Sequence, residues 1–160
     1  MQEKETSNEV EVTELSRLPA AGRLLALDPG TKRVGVAVCD ELRITTRALD
    51  TITLESWKKL LLRVKDLIVE YDAKALVVGL PLESDGAESE MSAFAREWAR
   101  KFELSLEIPI FLQDERATSY EAKGRLWASG VDTVKHRGLV DGEAAAIILA
   151  DFLDRARSTR

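Results

Sequence analysis

Four acidic residues stand where apolar segments end or begin, far apart along the chain. Asp28 closes the run Leu24-Leu25-Ala26-Leu27, Asp114 and Glu115 follow Ile108 to Leu112, and Asp141 precedes the apolar stretch Ala144 to Ala156. Carboxylates gathered without cations repel and raise one another's pKa. An oxygen-only cluster of this kind suits a hard divalent ion, Mg²⁺ or Mn²⁺. Two such ions bridged by an Asp can activate a water and stabilise the leaving oxygen of a phosphodiester. The composition leaves little room for other chemistry, because Cys39 and His136 are the only residues of their kinds. Basic residues accompany the acids: Lys32 and Arg33 flank Asp28, Arg116 follows Glu115, and Lys135-His136-Arg137 lies in a glycine-bounded loop. Such cations can hold phosphates. Each acid also has a plainer reading. Asp28 before Pro29-Gly30 suits a turn, Asp141 a helix cap, and Asp114-Glu115 a solvated strand end. Only convergence in space separates the two readings.

The elements that would bring them together follow from apolar spacing. Leu24 to Leu27 reads as a buried strand, stopped at the turn Asp28-Pro29-Gly30-Thr31. Arg33 to Cys39 alternates Val34, Val36 and Val38 with small residues, a second strand in a hairpin. Ile44 to Ile52 fits a third. Trp57, Leu60, Leu61, Val64, Leu67 and Ile68 form one helical stripe. Ala75 to Leu80 is a strand closed by Pro81, Met91 to Phe102 a helix, and Ile108 to Leu112 a strand. Thr118-Ser119-Tyr120-Glu121 has the form of a capping box, and Ala144 to Ala156 is a last helix with Asp141 at its opening. Helical crossovers between strands require parallel pairs. Strands one, four and five should therefore run parallel, with their carboxyl ends on one rim, where open α/β sheets bind ligands. Asp28, Gly79-Leu80-Pro81 and Gln113-Asp114-Glu115-Arg116 would meet there.

At 160 residues the chain is the size of one domain. We expect a disordered acidic tail over 1–21 and one domain over 22–157. The net charge is −5, of which −3 falls in residues 1–18, so the body is near balance and a local basic surface is available. No apolar run is long enough to span a membrane, and the polar N-terminus does not suit a signal peptide. A single cysteine fits a reducing, cytoplasmic setting.

Four segments carry a family resemblance: Leu27-Asp28-Pro29-Gly30-Thr31-Lys32-Arg33-Val34-Gly35-Val36-Ala37, Val78-Gly79-Leu80-Pro81, Asp114-Glu115-Arg116-Ala117-Thr118-Ser119 and Val140-Asp141-Gly142-Glu143-Ala144-Ala145. In this order and spacing the chain resembles the YqgF/RuvX family of ribonuclease H-like proteins, over about residues 23–154. The resemblance implies an α/β, ribonuclease H-like fold, a mixed five-stranded sheet (βββαβαβα) with helices on both faces. It implies Asp28, Glu115 and Asp141 as catalytic residues, with Asp114 joining them as a metal ligand and Glu115 the preferred member of the acidic pair. Mg²⁺ or Mn²⁺ would be the cofactor. The implied activity is phosphodiester hydrolysis in processing the 5′ end of pre-16S rRNA. The alternatives are a Holliday-junction resolvase-like DNA endonuclease, acting on branched or single-stranded DNA as a homodimer, and a non-catalytic nucleic-acid or ribosome-assembly module. Lys32, Arg33, Arg116, Lys135 and Arg137 would contact the nucleic acid. The chain departs from the family where two threonines usually follow a leucine, having Ala117, Thr118 and Ser119. Resolvases carry a further acid at the position of Ala144, which leaves fewer carboxylates here. The Asp28 to Thr31 hairpin is also similar to the first loop of actin-type ATPases, which need two related domains.

Overall fold

The computed structural model describes residues 15–115 and 137–159, and for 137–141 the backbone alone. Strands β1 (Leu24–Asp28), β2 (Arg33–Cys39) and β3 (Thr46–Thr53) come first, followed by helix α1 (Trp57–Tyr71) and β4 (Ala75–Leu80). Helix α2 (Glu90–Ser105), β5 (Ile110–Asp114) and α3 (Arg137–Ser158) complete the described elements. The five strands form one sheet in the order β3-β2-β1-β4-β5. β1–β2 and β2–β3 are antiparallel, whereas β1–β4 and β4–β5 are parallel. The expected hairpin-plus-parallel arrangement is the one observed.

Alternation along each strand divides the core in two. Leu25, Leu27, Val36 and Val78 meet the buried stripe Leu60, Val64 and Leu67 of α1 and Trp98 and Phe102 of α2. On the other face Leu24, Ala26, Val77 and Phe111 meet Ala145, Ile148, Leu149 and Phe152 of α3. Both faces are therefore covered, which is what a parallel strand such as β4, buried along its whole length, requires. The helices start on local signals. Ser56 caps α1 by accepting from the Lys59 amide, and α1 ends at Asp72 in the left-handed conformation. Ser89 and Ser92 form a reciprocal capping box for α2.

Three boundaries differ from the sequence reading. β3 begins at Thr46 rather than Ile44, because Asp40 Oδ1 accepts from the Ile44 and Thr45 amides and holds both in the turn. β5 lies two residues further on than expected. Pro109 has no N–H to give the ladder, and its carbonyl accepts from the Leu76 amide, so Ile110 opens the strand and Asp114 falls inside it. α3 starts at Arg137, which puts Asp141 in its second turn rather than at its opening. The capping reading of Asp141 therefore does not hold. The Thr118–Glu121 helix start lies outside the described residues. Within the span read as a tail, Leu15 and Leu18 pack against the α3-side cluster, so that part is docked.

Candidate active site

Parallel pairing carries the ends of β1, β4 and β5 to one rim. Leu27 lies opposite Val78, Gly79 opposite Gln113, and Leu80 opposite Asp114. The amide of Glu115 then donates to the Leu80 carbonyl at 3.1 Å, extending the ladder one residue past β5. At the β1–β2 turn Gly30 is obligatory, since a Cβ there would strike the carbonyl oxygen of Arg33. The turn is tied to the end of β3 by the Leu54 amide, which donates to the Lys32 carbonyl at 2.9 Å.

The strand period of two decides which acids meet. Leu24 and Ala26 face α3, and Asp28 follows them on that face. Phe111 also faces α3, and Glu115 shares its parity. Asp114 shares the parity of Ile110 and falls on the α1–α2 side. Between Asp28 and Glu115 runs β4, where a side chain at position 79 would obstruct them. A Cβ on Gly79 would lie 2.8 Å from Glu115 Oε2 and 2.7 Å from Ile148 Cδ1. The missing side chain of Gly79 is thus the space in which the Glu115 carboxyl reaches across β4 to Asp28. Gly79 lies inside β4, not in a turn.

Electrostatics reflects this crowding. Burial first, then the negative charge of Asp28, a hydrogen bond with Asp28 and the charge of Asp114 push the Glu115 carboxyl up to about 10. Without a cation Glu115 is protonated at neutral pH and donates to Asp28. Its Oε2 is buried with no hydrogen-bond partner. An orphaned acceptor beside two carboxyl groups sharing a proton is what a hard cation would satisfy, so the pair fits Mg²⁺ or Mn²⁺. Among the described residues no group of three or more His, Cys, Asp or Glu could hold a metal. The helical period places position 141 on the stripe of Ala145, Ile148 and Phe152, which faces the sheet.

Of the basic residues, Lys32 is exposed in the turn after Asp28, and Arg33, half-buried, opens β2. Arg116 and Lys135 lie outside the described residues, and Arg137 is the first residue of α3. Cys39 is buried in the core, its Sγ accepting from the Leu24 amide at 3.2 Å. Gln113 went unsingled in the sequence, although counting by twos from Phe111 puts it on the Glu115 face.

The family model described as "RuvX: Holliday junction resolvase" matches residues 22–155. The chain belongs to the RuvX family. A RuvX relative from Syntrophus aciditrophicus, called "Putative pre-16S rRNA nuclease", is 42% identical over 132 residues, covering 82% of this chain and 88% of the relative. One of the same name from Gloeothece citriformis is 41% identical over 136 residues, covering 85% and 90%. Among solved structures, Thermus thermophilus RuvC matches with a TM-score of 0.52 and 15% identity, over 86% of this chain and 97% of that one. That likeness shows the fold, which is ribonuclease H-like.

Proposed function

We propose that this RuvX-family chain is a divalent-cation-dependent nuclease that hydrolyses phosphodiester bonds, with pre-16S rRNA as substrate. The observation that carries the reading is the Asp28–Glu115 pair held across the gap at Gly79. The names of the RuvX relatives support the substrate. Asp28 and Glu115 would hold Mg²⁺ or Mn²⁺, with Asp141 the third ligand and Asp114 left to shape the field from the other face. The cation supplies positive charge at the scissile phosphate and lowers the pKa of water there. Two such ions are the working scheme, and the acids of this chain would be shared between them. Water attacks phosphorus in line, the bond from phosphorus to the 3′-oxygen breaks, and that oxygen takes up a proton. The products are a 5′-phosphate and a 3′-hydroxyl.

Lys32, Arg33, Arg116, Lys135 and Arg137 would bind backbone phosphates around the rim. The catalytic unit is the domain over 22–157, preceded by the acidic segment, and rRNA processing would place it in the cytoplasm. No helix among the described residues is long and apolar enough to cross a membrane.

The test is Asp28→Asn in the full chain with Mn²⁺, using a pre-16S rRNA 5′ fragment and a four-way DNA junction. Cleavage of the RNA that vanishes in the variant while binding persists supports the reading. Equal cleavage by the variant overturns the site. Preference for the junction, with a dimer in solution, would favour the resolvase alternative. RNA binding by the natural chain with no product under Mg²⁺ or Mn²⁺ would favour the non-catalytic module.

A further inference from the structure

We propose that Gln113 is a positioning residue of this centre, its side-chain carbonyl orienting the attacking water from the β5 side of Gly79. The inference rests on the nuclease reading above and adds a role for a neutral residue. Gln113 is only 9% exposed, yet its Oε1 is buried without a hydrogen-bond partner. An orphaned buried acceptor is costly, and an apolar residue of the same size would avoid the cost. The amide is not free to turn over. Nε2 donates to the Asp114 carbonyl at 3.3 Å, and the reversed amide would set Oε1 against that oxygen, acceptor against acceptor.

Placement supplies the purpose. Gln113 is the ladder partner of Gly79, on the α3 face, two residues before Glu115. Asp28 and Gln113 therefore flank the strand position that has no side chain. Two buried acceptors without a partner, Gln113 Oε1 and Glu115 Oε2, belong to residues of this face; Glu115 Oε2 borders Gly79, and Gln113 is the ladder partner of Gly79. A water has two hydrogens to give, and donating to an acceptor on the protein leaves its lone pair directed away, toward a phosphate. An amide does this without adding charge. A fourth carboxylate at position 113 would join Asp28, Asp114 and Glu115, whose repulsion already raises Glu115.

The experiment compares Gln113→Met, which keeps length and loses the acceptor, with Gln113→Glu, which keeps an acceptor. Urea unfolding of the metal-free full chain, Mn²⁺ affinity by calorimetry and kcat on the RNA fragment are measured, with Asp28→Asn alongside. We expect Gln113→Met to unfold at equal or higher urea than the natural chain and to bind Mn²⁺ within about twofold. Its kcat should fall about 10- to 100-fold, the range of a misplaced reactant, with KM little changed. Gln113→Glu should recover at least part of that rate. A fall in the unfolding midpoint of Gln113→Met would mean a structural role and overturn the proposal. So would a natural kcat in Gln113→Met beside an inactive Asp28→Asn, or a loss that Gln113→Glu does not relieve. Natural cleavage by Asp28→Asn would instead bring down the underlying site.

Discussion

Gly79→Ala is the sharpest perturbation of the centre because it adds one methyl group at a known place. The new Cβ would stand 2.7 Å from Ile148 Cδ1 and 2.8 Å from Glu115 Oε2, against about 3.4 Å for ordinary contact. Both neighbours must retreat by more than half an ångström. Both contacted atoms are far ends of flexible side chains, so the fold should survive. Overpacking of this sort costs about 1–3 kcal/mol. The chemistry should suffer more than the fold. Glu115 reaches Asp28 only over the backbone of β4, and a displacement approaching 1 Å can cost about 10²-fold in rate. The assay is kcat on the RNA fragment with Mn²⁺, paired with urea unfolding of the same preparation. The expected result is a loss of about 10- to 100-fold in kcat with a cooperative unfolding transition retained. A variant that cleaves at the natural rate would refute the claim that Gly79 is the space for Glu115. A variant that no longer folds would refute the claim that only flexible ends are displaced.

Glu115 gives a pH prediction for the metal-free chain. Its folded pKa is raised, so the folded state holds the proton more tightly than the unfolded chain. This contribution to stability is full below about 4.5 and is lost as pH rises toward about 10. The urea midpoint should therefore fall from pH 5 to pH 9, and Glu115→Gln, which mimics the neutral form, should flatten the curve. An unchanged slope would contradict the burial of this carboxyl. Asp114→Asn should alter kcat by less than about fivefold, since alternation sets Asp114 on the other face of the sheet; inactivity on the scale of Asp28→Asn would restore it as a ligand. Phe102→Ala should destabilise by about 3–5 kcal/mol in urea, because Phe102 is fully buried against Trp57 and Trp98. A cost below about 1 kcal/mol would mean that the α1–α2 aromatic cluster is not core.

The helices and strands were legible where apolar period and punctuation agreed. β4 fell on the residues read from Ala75 to Leu80, since an unbroken apolar run closed by proline admits little else. Boundaries moved where a single polar contact or a missing N–H decided them. Asp40 holds Ile44 out of β3, and Pro109 delays β5. The start of α3 was missed because Arg137 to Asp141 carries no apolar stripe long enough to read.

The sequence by itself determined the topology, the rim on which the acids gather and the family, because apolar periodicity, crossover rules and four ordered motifs are local properties of the chain. From the residues alone it offered Asp114 and Glu115 together, since adjacent acids look alike in one dimension, and only the family resemblance preferred Glu115. Tertiary structure separated them. Successive residues of a strand point to opposite faces, so only Glu115 could share a proton with Asp28. The same alternation, across a neighbouring strand that lacks a side chain at Gly79, turned an ordinary glycine into the opening of the site and left the side-chain oxygen of its ladder partner Gln113 buried without a partner.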